Sequence, residues 1–528
     1  MKKENHIYYK VRWKRMASLA FTGCLLLTTT SCGSDYLNVA SGGQIEQESV
    51  YATTTGLTNA VNGIARLMTM QYKDVKWNGE GSIKTWYGNF LGNDYYRNNY
   101  TALAPIVNGN YMQDPTSQYD EYPWFYYYKL ISNANPIIIH TDAAQGEIQD
   151  KQFIKAQALT YRAYSYMMLV QFYAKRWKDS NNGSSSGVVL RLDESNGEFP
   201  ISSLAQCYEQ IYEDLNTAID LYQKSGKDRE KGCNYLPNLQ AAYAVYARAA
   251  INREDWENAR KYAQLARKGH PLMSNQEYQE GGFNTANPEW IWSVYSNETE
   301  SIYYYQYFAC EGSNTNYSSY LSRPAGISKE LYLQIPETDI RRNMFLDPQK
   351  DAYTASNNYG GAALKNRAFA EYESKLNVKS YIFAYMQFKQ QSKILPGVGE
   401  INLFRSAEMY LIEAEADCHL NKEAEAQQLL VELNQTSGRN PEYTCDKTGE
   451  DLLAEVRLYN RIELWGEGHD WFNYKRWGLP IVRHAAKAGG SFPSNFAITV
   501  KPEDKNGWTW IIPRMESDFN PSIDHTLE

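Results

Sequence analysis

Apolar residues recur every three or four positions over several stretches of the chain, which is the period of an amphipathic helix. The apolar positions of a first predicted helix over about 51–70 are Leu57, Val61, Ile64 and Leu67. Further helices are predicted from near 124, over 152–178 and over 203–224. Ser202 and Ser203 are candidate N-caps for the last of these, because a hydroxyl can accept a hydrogen bond from the first helical turn.

Two helix pairs with closely spaced small residues follow. The stretch 236–271 has the offsets of a 34-residue tetratricopeptide unit, in which small residues let two antiparallel helices approach. Its matching positions are Tyr243, Tyr246, Ala247, Ala250, Ala259, Ala263, Ala266 and Pro271. The apolar positions of the second pair are Phe404, Ala407, Leu411, Ala414, Cys418, Ala426, Leu429, Leu430 and Leu433, with Asn421 as the turn. The sequence therefore predicts a helical-repeat scaffold.

Two long segments, 72–123 and 272–400, have no sustained period and are rich in aromatic residues. A long irregular segment inside a compact protein usually carries function. We therefore expect an all-α, tetratricopeptide-like helical-repeat fold interrupted by two long, irregular, aromatic-rich loop regions. Trp290 and Trp292 share one face of a strand by the two-residue period, and we expect both in the core.

Composition narrows the class of ligand. The chain has 528 residues, a net charge of −8 and no block of Lys and Arg, which argues against nucleic acid as the ligand. It contains 44 Tyr, 13 Trp and 17 Phe. Tyrosine and tryptophan combine a flat apolar face with a polar group, so this bias suits sugar rings and hydrated interfaces.

The N-terminus has the pattern of a lipoprotein export signal. A leader rich in Lys and Arg precedes a short apolar run, 16–27, which is too short for a membrane span of about 20 apolar residues. Small and hydroxyl residues then lead to Cys32, the predicted lipid-attachment site. We expect 1–31 to be removed and 32–50 to be a tether; an ordinary signal peptide is the alternative.

The remaining chemistry-bearing residues give little indication of a metal or cofactor site. No CxxC motif is present, the histidines lack metal-ligand spacing, and no nucleotide or nucleophile motif occurs. We therefore expect no metal and no cofactor. A single disulfide, such as Cys233–Cys310, stays open.

Four motifs resemble the SusD/RagB proteins of the Bacteroidetes, and they lie in that family's order along nearly the whole chain. They are SCGSDYLNV, RSAEMYLIEAEADCHL, LLAEVRLYNRIELWGEGHDWFNYKRWG and WTWIIPRMESDFNPSI. Residues 403–480 would hold the C-terminal signature helices, including Arg461, Glu463, Glu467, Gly468, Phe472, Arg476 and Trp477. Asp470 stands where Arg is usual and Asn473 where Asp is usual, which puts local ion pairing in doubt rather than the fold.

The resemblance implies a single SusD/RagB-like domain over 32–528 with four tetratricopeptide-like helix pairs. It also implies a lipid-anchored protein of the outer membrane, exposed at the cell surface. Such a protein captures a nutrient, most often an oligosaccharide or polysaccharide, and delivers it without catalysis to a SusC-like TonB-dependent transporter as a hinged lid. The alternatives are a peptide-binding, RagB-like member, a tetratricopeptide-type adaptor that binds only proteins, and a glycosidase.

The first candidate binding cluster lies in the first loop region. Aromatic planes stack on the C–H faces of sugars, and planar polar side chains hydrogen-bond to hydroxyls. The candidates are Trp77, Trp86, Tyr87, Asn93, Asp94, Tyr95, Tyr96, Arg97 and Asn98. The resemblance implies ligand contacts here, often with an Asp near position 94. The alternative is that these aromatic residues pack the loop onto the helices.

The second candidate cluster lies in the second loop region. Its members are Tyr303, Tyr305, Tyr307, Tyr317 and Tyr320, with Tyr304, Asn314 and Asn316 nearby. Four tyrosines within five positions cannot all face inward on a helix or a strand, so we expect some to be exposed. An edge strand or a transporter-facing patch is an equal alternative.

Glu463 and Glu467 would lie one helical turn apart on the same face. Paired carboxylates hydrolyse glycosides, so a catalytic role is the alternative hypothesis. Arg457, Arg461 and Arg476 are close in sequence, and an ion-pair network that joins helices is the favoured interpretation.

Overall fold

The computed structural model describes residues 50–72, 77–100, 103–296 and 306–523. The predicted signal peptide, Cys32 and nearly all of the tether lie outside the described residues, as do Tyr303 and Tyr305.

The fold is all-α, and its helices are joined by long connections. The helices are α1 (Thr54–Leu67), α2 (Gly79–Ser82), α3 (Ala104–Val107), α4 (Gln118–His140), α5 (Ile148–Tyr173), α6 (Leu204–Ser225), α7 (Leu239–Asn252), α8 (Trp256–Arg267), α9 (Asn275–Glu280), α10 (Tyr307–Glu311), α11 (Ser318–Leu321), α12 (Lys329–Tyr332), α13 (Ala362–Glu371), α14 (Ser406–His419), α15 (Glu423–Val431), α16 (Gly449–Glu463), α17 (Asp470–Trp477) and α18 (Arg514–Phe519). Two π-helical turns, Ile83–Asn89 and Glu432–Thr436, interrupt this pattern.

The strands are short, and those described pair two by two in antiparallel sheets. They are β1 (Gln71–Tyr72), β2 (Trp77–Asn78), β3 (Tyr95–Arg97), β4 (Ser186–Val189), β5 (Ile201–Ser203), β6 (Trp290–Val294), β7 (Ala325–Ile327), β8 (Tyr353–Thr354), β9 (Tyr359–Gly360), β10 (Ile401–Arg405), β11 (Ile481–Val482) and β12 (Thr499–Val500). The pairs are β1–β2, β3–β7, β4–β5, β6–β10, β8–β9 and β11–β12. Strand β6 buries Trp290 and Trp292 completely, which confirms that prediction.

The repeat scaffold follows the sequence pattern. Helices α4 to α8 pack on one another in succession, α14 packs on α8, and α15 and α16 pack on α14. The predicted pair over 236–271 is α7 and α8, whose small residues are fully buried. Ser203 caps α6 in a reciprocal capping box with Gln206, as its hydroxyl predicts. Asn421 turns the chain between α14 and α15 with a left-handed φ of 57°.

Some predicted boundaries are wrong. Helix α4 begins at Gln118, inside the segment predicted to be irregular, because the hydroxyl of Ser117 accepts the N–H of Tyr119 and starts the helix. Helix α5 spans Ile148–Tyr173 rather than 152–178. Phe404 lies in β10 and not in a helix, since this segment pairs with β6.

The described cysteines are thiols, so the Cys233–Cys310 bridge that the sequence left open is not formed. Over the described ranges, none of the helices has the length and apolar character needed to cross a membrane. Most of the buried apolar side chains of these ranges form one hydrophobic core, which includes both helical scaffold and loop residues.

Candidate functional site

The two aromatic loop regions meet at one place in the structure. Strand β3 pairs with β7, so that Tyr95 lies opposite Ile327 and Arg97 opposite Ala325. A third segment joins them, because the N–H of Ile327 donates to the carbonyl of Tyr385 at 3.0 Å. The candidate site therefore lies where residues 95–98, 317–327 and 381–387 converge.

Most aromatic candidates of the first cluster are core residues. Trp77, Trp86, Tyr87, Tyr95 and Tyr96 each expose at most 1% of their surface. The ring of Trp77 stacks on Tyr122 at 4.5 Å and meets the edge of Trp86 at 5.0 Å. A ring enclosed in this way has no face to offer a sugar. The structure thus corrects the prediction for these five residues and gives them the packing role that was its alternative.

Asp94 and Asn93 hold the first loop to the C-terminal helices. Arg461 donates to both carboxylate oxygens of Asp94, at 2.7 and 2.6 Å. The amide of Asn93 donates to the Tyr474 hydroxyl at 3.2 Å, and its oxygen accepts the N–H of Val482 at 2.9 Å. Both side chains therefore have a structural role, and their role as direct ligand contacts stays a prediction.

Arg97 is buried and links the two loop regions through hydrogen bonds and an ion pair. Its guanidinium donates to the carbonyls of Arg323 at 2.6 Å and Cys310 at 2.7 Å, and it pairs with Glu311 at 3.2 Å. Burial alone would lower the pKa of Arg97, but Tyr95 and Glu311 beside it outweigh this and raise it. Arg97 fixes the position of the loops and does not reach the surface, which corrects its prediction as a ligand contact.

Four tyrosines form the outer surface at this junction. This tyrosine surface comprises Tyr317, Tyr320, Tyr359 and Tyr381. Tyr381 is 50% exposed, and the other three are half-buried. The N–H of Tyr381 donates to the carbonyl of Leu321 at 2.8 Å, which places it beside α11.

The rings of the tyrosine surface are supported from below. Tyr317 and Tyr320 lie 5.5 Å apart between ring centroids and are tilted by 47°. Tyr381 meets Tyr359 edge to face at 6.0 Å. The guanidinium of Arg97 lies 5.3 Å from the ring centroid of Tyr320, so Arg97 also packs beneath the tyrosine surface.

Amide groups border the tyrosine surface. Asn98 is half-buried and donates to the carbonyl of Ser322 at 3.3 Å, and Asn316 is exposed next to Tyr317. Aromatic faces beside amide donors and acceptors can bind a sugar ring by stacking and hydrogen bonding. Of the predicted residues, the structure therefore brings Asn98, Tyr317 and Tyr320 together at an accessible surface.

The other members of the second cluster fall elsewhere. Tyr307 is buried, and its hydroxyl donates to the carbonyl of Gly466 at 2.8 Å, which corrects its prediction as a ligand contact. Tyr303 and Tyr305 lie outside the described residues. Sequence reasoning missed Tyr359 and Tyr381 because neither lies in a tyrosine-rich run; the available signal was their place in the second loop region.

Glu463 and Glu467 belong to a buried ion-pair network. Arg405 donates to Glu467 at 2.7 and 2.8 Å and to Glu463 at 2.8 Å. Burial would raise the pKa of both carboxyls, but Arg405 and its neighbouring cations outweigh this and lower it to about 2. Arg341 and Lys389 complete the network.

The network confirms the structural interpretation of these glutamates, but the predicted partners are wrong. Arg461 binds Asp94 instead, and Arg476 binds Glu415 at 2.5 Å. Among the described residues, no group of three His, Cys, Asp or Glu side chains is arranged to hold a metal ion.

The fold and this surface define a helical-repeat protein that carries an accessible aromatic site on its loops. Residues 35–251 match the SusD-like_3 family model, described as "Starch-binding associating with outer membrane". No curated protein matches the chain.

Solved structures with the same fold come from Bacteroides. A SusD-like carbohydrate binding protein from Bacteroides vulgatus is 22% identical, with a TM-score of 0.72 over 89% of this chain and 97% of that one. A SusD superfamily protein from Bacteroides thetaiotaomicron is 22% identical, with a TM-score of 0.70 over 89% and 99%. One from Bacteroides fragilis is 21% identical, with a TM-score of 0.66 over 90% and 100%. These matches confirm the predicted resemblance to the SusD/RagB family.

Proposed function

We propose that this protein is a lipoprotein of the outer membrane, anchored through Cys32 and exposed at the cell surface. It binds a nutrient glycan, an oligosaccharide or polysaccharide, and delivers it to a SusC-like TonB-dependent transporter. The protein itself performs no catalysis on the glycan.

The observation that carries this proposal is the tyrosine surface. Tyr320 and Tyr381 present aromatic area beside the amides of Asn98 and Asn316. Tyrosine loses little rotamer freedom when it binds, which favours stacking on flexible sugar chains. The description of the matching family as starch-binding and associated with the outer membrane supports the same ligand class and location.

The absence of catalysis is proposed from the state of the carboxylates. Glycoside hydrolysis needs an acid and a base that both reach the glycosidic oxygen and its carbon. Glu463 and Glu467 are fully buried and bound by Arg405, so neither can approach a glycan at the tyrosine surface.

Calorimetric titration tests the ligand class. The lipidated protein, purified in mild detergent, is titrated with plant, host and microbial oligosaccharides and with mixed peptides. Tyr320→Ala and Tyr381→Ala should each weaken glycan binding about tenfold, since each removes one stacking face. Tyr410→Ala is the matched control, because Tyr410 is also half-buried beside an arginine, Arg267, but lies on α14.

Each outcome has a definite meaning. Glycan binding that survives both substitutions would place the site elsewhere on the molecule. Binding of peptides alone would support the peptide-binding alternative, and binding of neither would favour a protein-only adaptor. Copurification of a TonB-dependent barrel with the protein tests the delivery step separately.

A further inference from the structure

The loops around the tyrosine surface are depleted of acidic residues. The chain carries 61 Asp and Glu among 528 residues. Segments 95–113, 312–329, 352–370 and 374–399 contain none at all. In a chain of net charge −8, four such segments are a marked local departure.

The structure brings these four segments together. Segments 95–113 and 312–329 pair through β3 and β7. The N–H of Gln387 donates to the carbonyl of Ala325 at 3.0 Å, which adds segment 374–399. The N–H of Gly360 donates to the carbonyl of Ile382 at 2.8 Å, which adds segment 352–370. The depletion is therefore concentrated in one region of the fold, which includes the tyrosine surface.

Basic side chains lie on this surface. Lys365 donates to the hydroxyl of Tyr359 at 2.8 Å, and its ammonium is 4.1 Å from the centroid of that ring. Lys379 is exposed two residues before Tyr381. The guanidinium of Arg323 lies 5.9 Å from the ring centroid of Tyr320.

Eight acidic residues flank the four segments along the chain. Four of them contact groups outside the tyrosine surface: Asp94 accepts from Arg461, Asp114 from the N–H of Thr116, Glu400 from the N–H of Ala286, and Glu330 contacts the imidazole of His484. Glu311 is buried against Arg97 at 3.2 Å. Asp351 and Glu371 both bind Arg367, at 2.7 and 3.1 Å. Glu373 is exposed and borders the last acid-free segment. The four segments contain Lys and Arg but no Asp or Glu, so they carry net positive charge, and neither Lys365 nor Lys379 has a carboxylate partner among the described ion pairs.

We propose that the tyrosine surface takes an anionic glycan, whose sugar rings carry carboxylate or sulfate groups. This inference rests on the proposed function and adds the ligand class. A neutral sugar can only accept hydrogen bonds from these cations through its hydroxyls, whereas an anionic one forms ion pairs with them and is also attracted over a longer range. Lys365 is held against Tyr359, so its charge lies beside a ring on which we expect a sugar to stack.

Paired probes test this inference on the lipidated protein in detergent. One pair is hexameric oligogalacturonate and its methyl-esterified form; the other is a sulfated galactan oligosaccharide and its desulfated form. Within at least one pair, the anionic member should bind at least about tenfold more tightly. Raising the salt concentration from 0.1 M to 1 M should remove most of that advantage, because the Debye length falls from about 10 Å to about 3 Å.

Charge removal provides a second test. The double variant Lys365→Gln/Lys379→Gln should weaken binding of the anionic member about tenfold and that of the neutral member by no more than about twofold, because glutamine keeps a hydrogen-bond donor but carries no charge. Lys261→Gln is the matched control, because Lys261 also lies over a tyrosine, 4.7 Å from the ring centroid of Tyr262, but on α8.

The outcomes separate the inference from the proposed function. Equal binding of both members of each pair, or no effect of the double variant, would overturn the anionic class and leave glycan binding intact. Binding only to neutral glycans outside these pairs would do the same. Failure to bind any glycan would reject both.

Discussion

The backbone N–H of Asp94 donates to the carboxyl group of Asp470 at 2.7 Å, so two acidic residues lie in direct contact. Arg461 binds the carboxylate of Asp94. Burial, followed by the charge of Asp94, raises the pKa of Asp470 to about 8. At this position the resemblance to SusD/RagB proteins implies an arginine, and this chain has a buried carboxyl group with a raised pKa instead.

Replacement of Asp470 should therefore change the pH dependence of stability. Between pH 4 and 8 the folded state holds a proton on Asp470 that the unfolded state has lost, so the free energy of unfolding falls as pH rises. Asp470→Asn cannot ionise and should be more stable than wild type at pH 8, by about 1–3 kcal/mol, with the difference disappearing near pH 4. Urea unfolding at several pH values measures this.

Asp220→Asn is the control for that series, because Asp220 forms an exposed pair with Lys224 on α6. Exposed pairs contribute about 0–1 kcal/mol, so this variant should show no comparable pH slope. A flat difference between wild type and Asp470→Asn across the whole range would show that Asp470 is ionised in the folded protein.

Arg405 should be among the most sensitive residues of the buried network. Arg405→Met leaves Glu289, Glu463 and Glu467 without their shared cation, which should destabilise the protein by about 3–5 kcal/mol. Because the pKa of Glu463 and Glu467 is lowered to about 2, their stabilising effect is present above about pH 4.5 and is lost as pH falls towards 2. The free energy of unfolding of the wild type should therefore fall most steeply with decreasing pH between about pH 4.5 and 2.

Arg176→Met serves as the matched control, since Arg176 pairs with Asp179 in a partly exposed bridge. This substitution should change the free energy of unfolding, measured in urea, by no more than about 0.5 kcal/mol. Similar effects of both substitutions would mean that the buried network contributes no more than a surface pair.

The scaffold was predictable because its signals are local. The three- and four-residue spacing of Leu57, Val61 and Ile64 places all three in the core of α1. The hydroxyl of Ser203 and the left-handed turn at Asn421 act within a few residues of themselves. Such features depend only on residues that are close together along the chain, so they can be predicted from a single sequence.

The site was only partly predictable because exposure depends on distant contacts. Trp86 and Tyr320 are both aromatic residues in irregular segments, but one is enclosed by the helices and the other lies at the surface. The pairing of β3 with β7, which brings the two loop regions together, joins residues more than 200 positions apart. The same limit explains why Arg405, which is distant in sequence from Glu463, was missed as its partner.

Lys475 should stabilise the end of the longest helix described. Its ammonium donates to the carbonyls of Gln171 at 2.7 Å and Ala174 at 2.8 Å, where α5 leaves carbonyls without helical partners. Lys475→Met should cost about 1–3 kcal/mol at pH 7, because these buried carbonyls lose their donor. Thermal or urea unfolding measures the loss.

The pH dependence at Lys475 has the opposite sign to that at Asp470. Burial lowers the pKa of Lys475 to about 7, so between pH 7 and 10.5 the unfolded state holds a proton that the folded state lacks. The contribution of Lys475 to stability should therefore rise with pH across this window, and the gap between wild type and Lys475→Met should widen. Lys224→Met, at an exposed position, should show no such widening.

Substitution of Gly88 tests whether the first loop region packs closely against residues 403–480, which hold the C-terminal signature helices. A Cβ at Gly88 would lie 2.2 Å from the carbonyl oxygen of Gly468, a backbone atom that cannot move aside cheaply. Gly88→Ala should destabilise the protein by about 1–3 kcal/mol through overpacking. Gly63 is the matched control: it is exposed in α1 with no atom near its Cβ position, so Gly63→Ala should stabilise the protein by about 0.5–1 kcal/mol. Equal effects of the two substitutions in urea unfolding would show that the loop does not pack against Gly468 in solution. That result would also argue against the burial of Trp86, which lies two residues before Gly88.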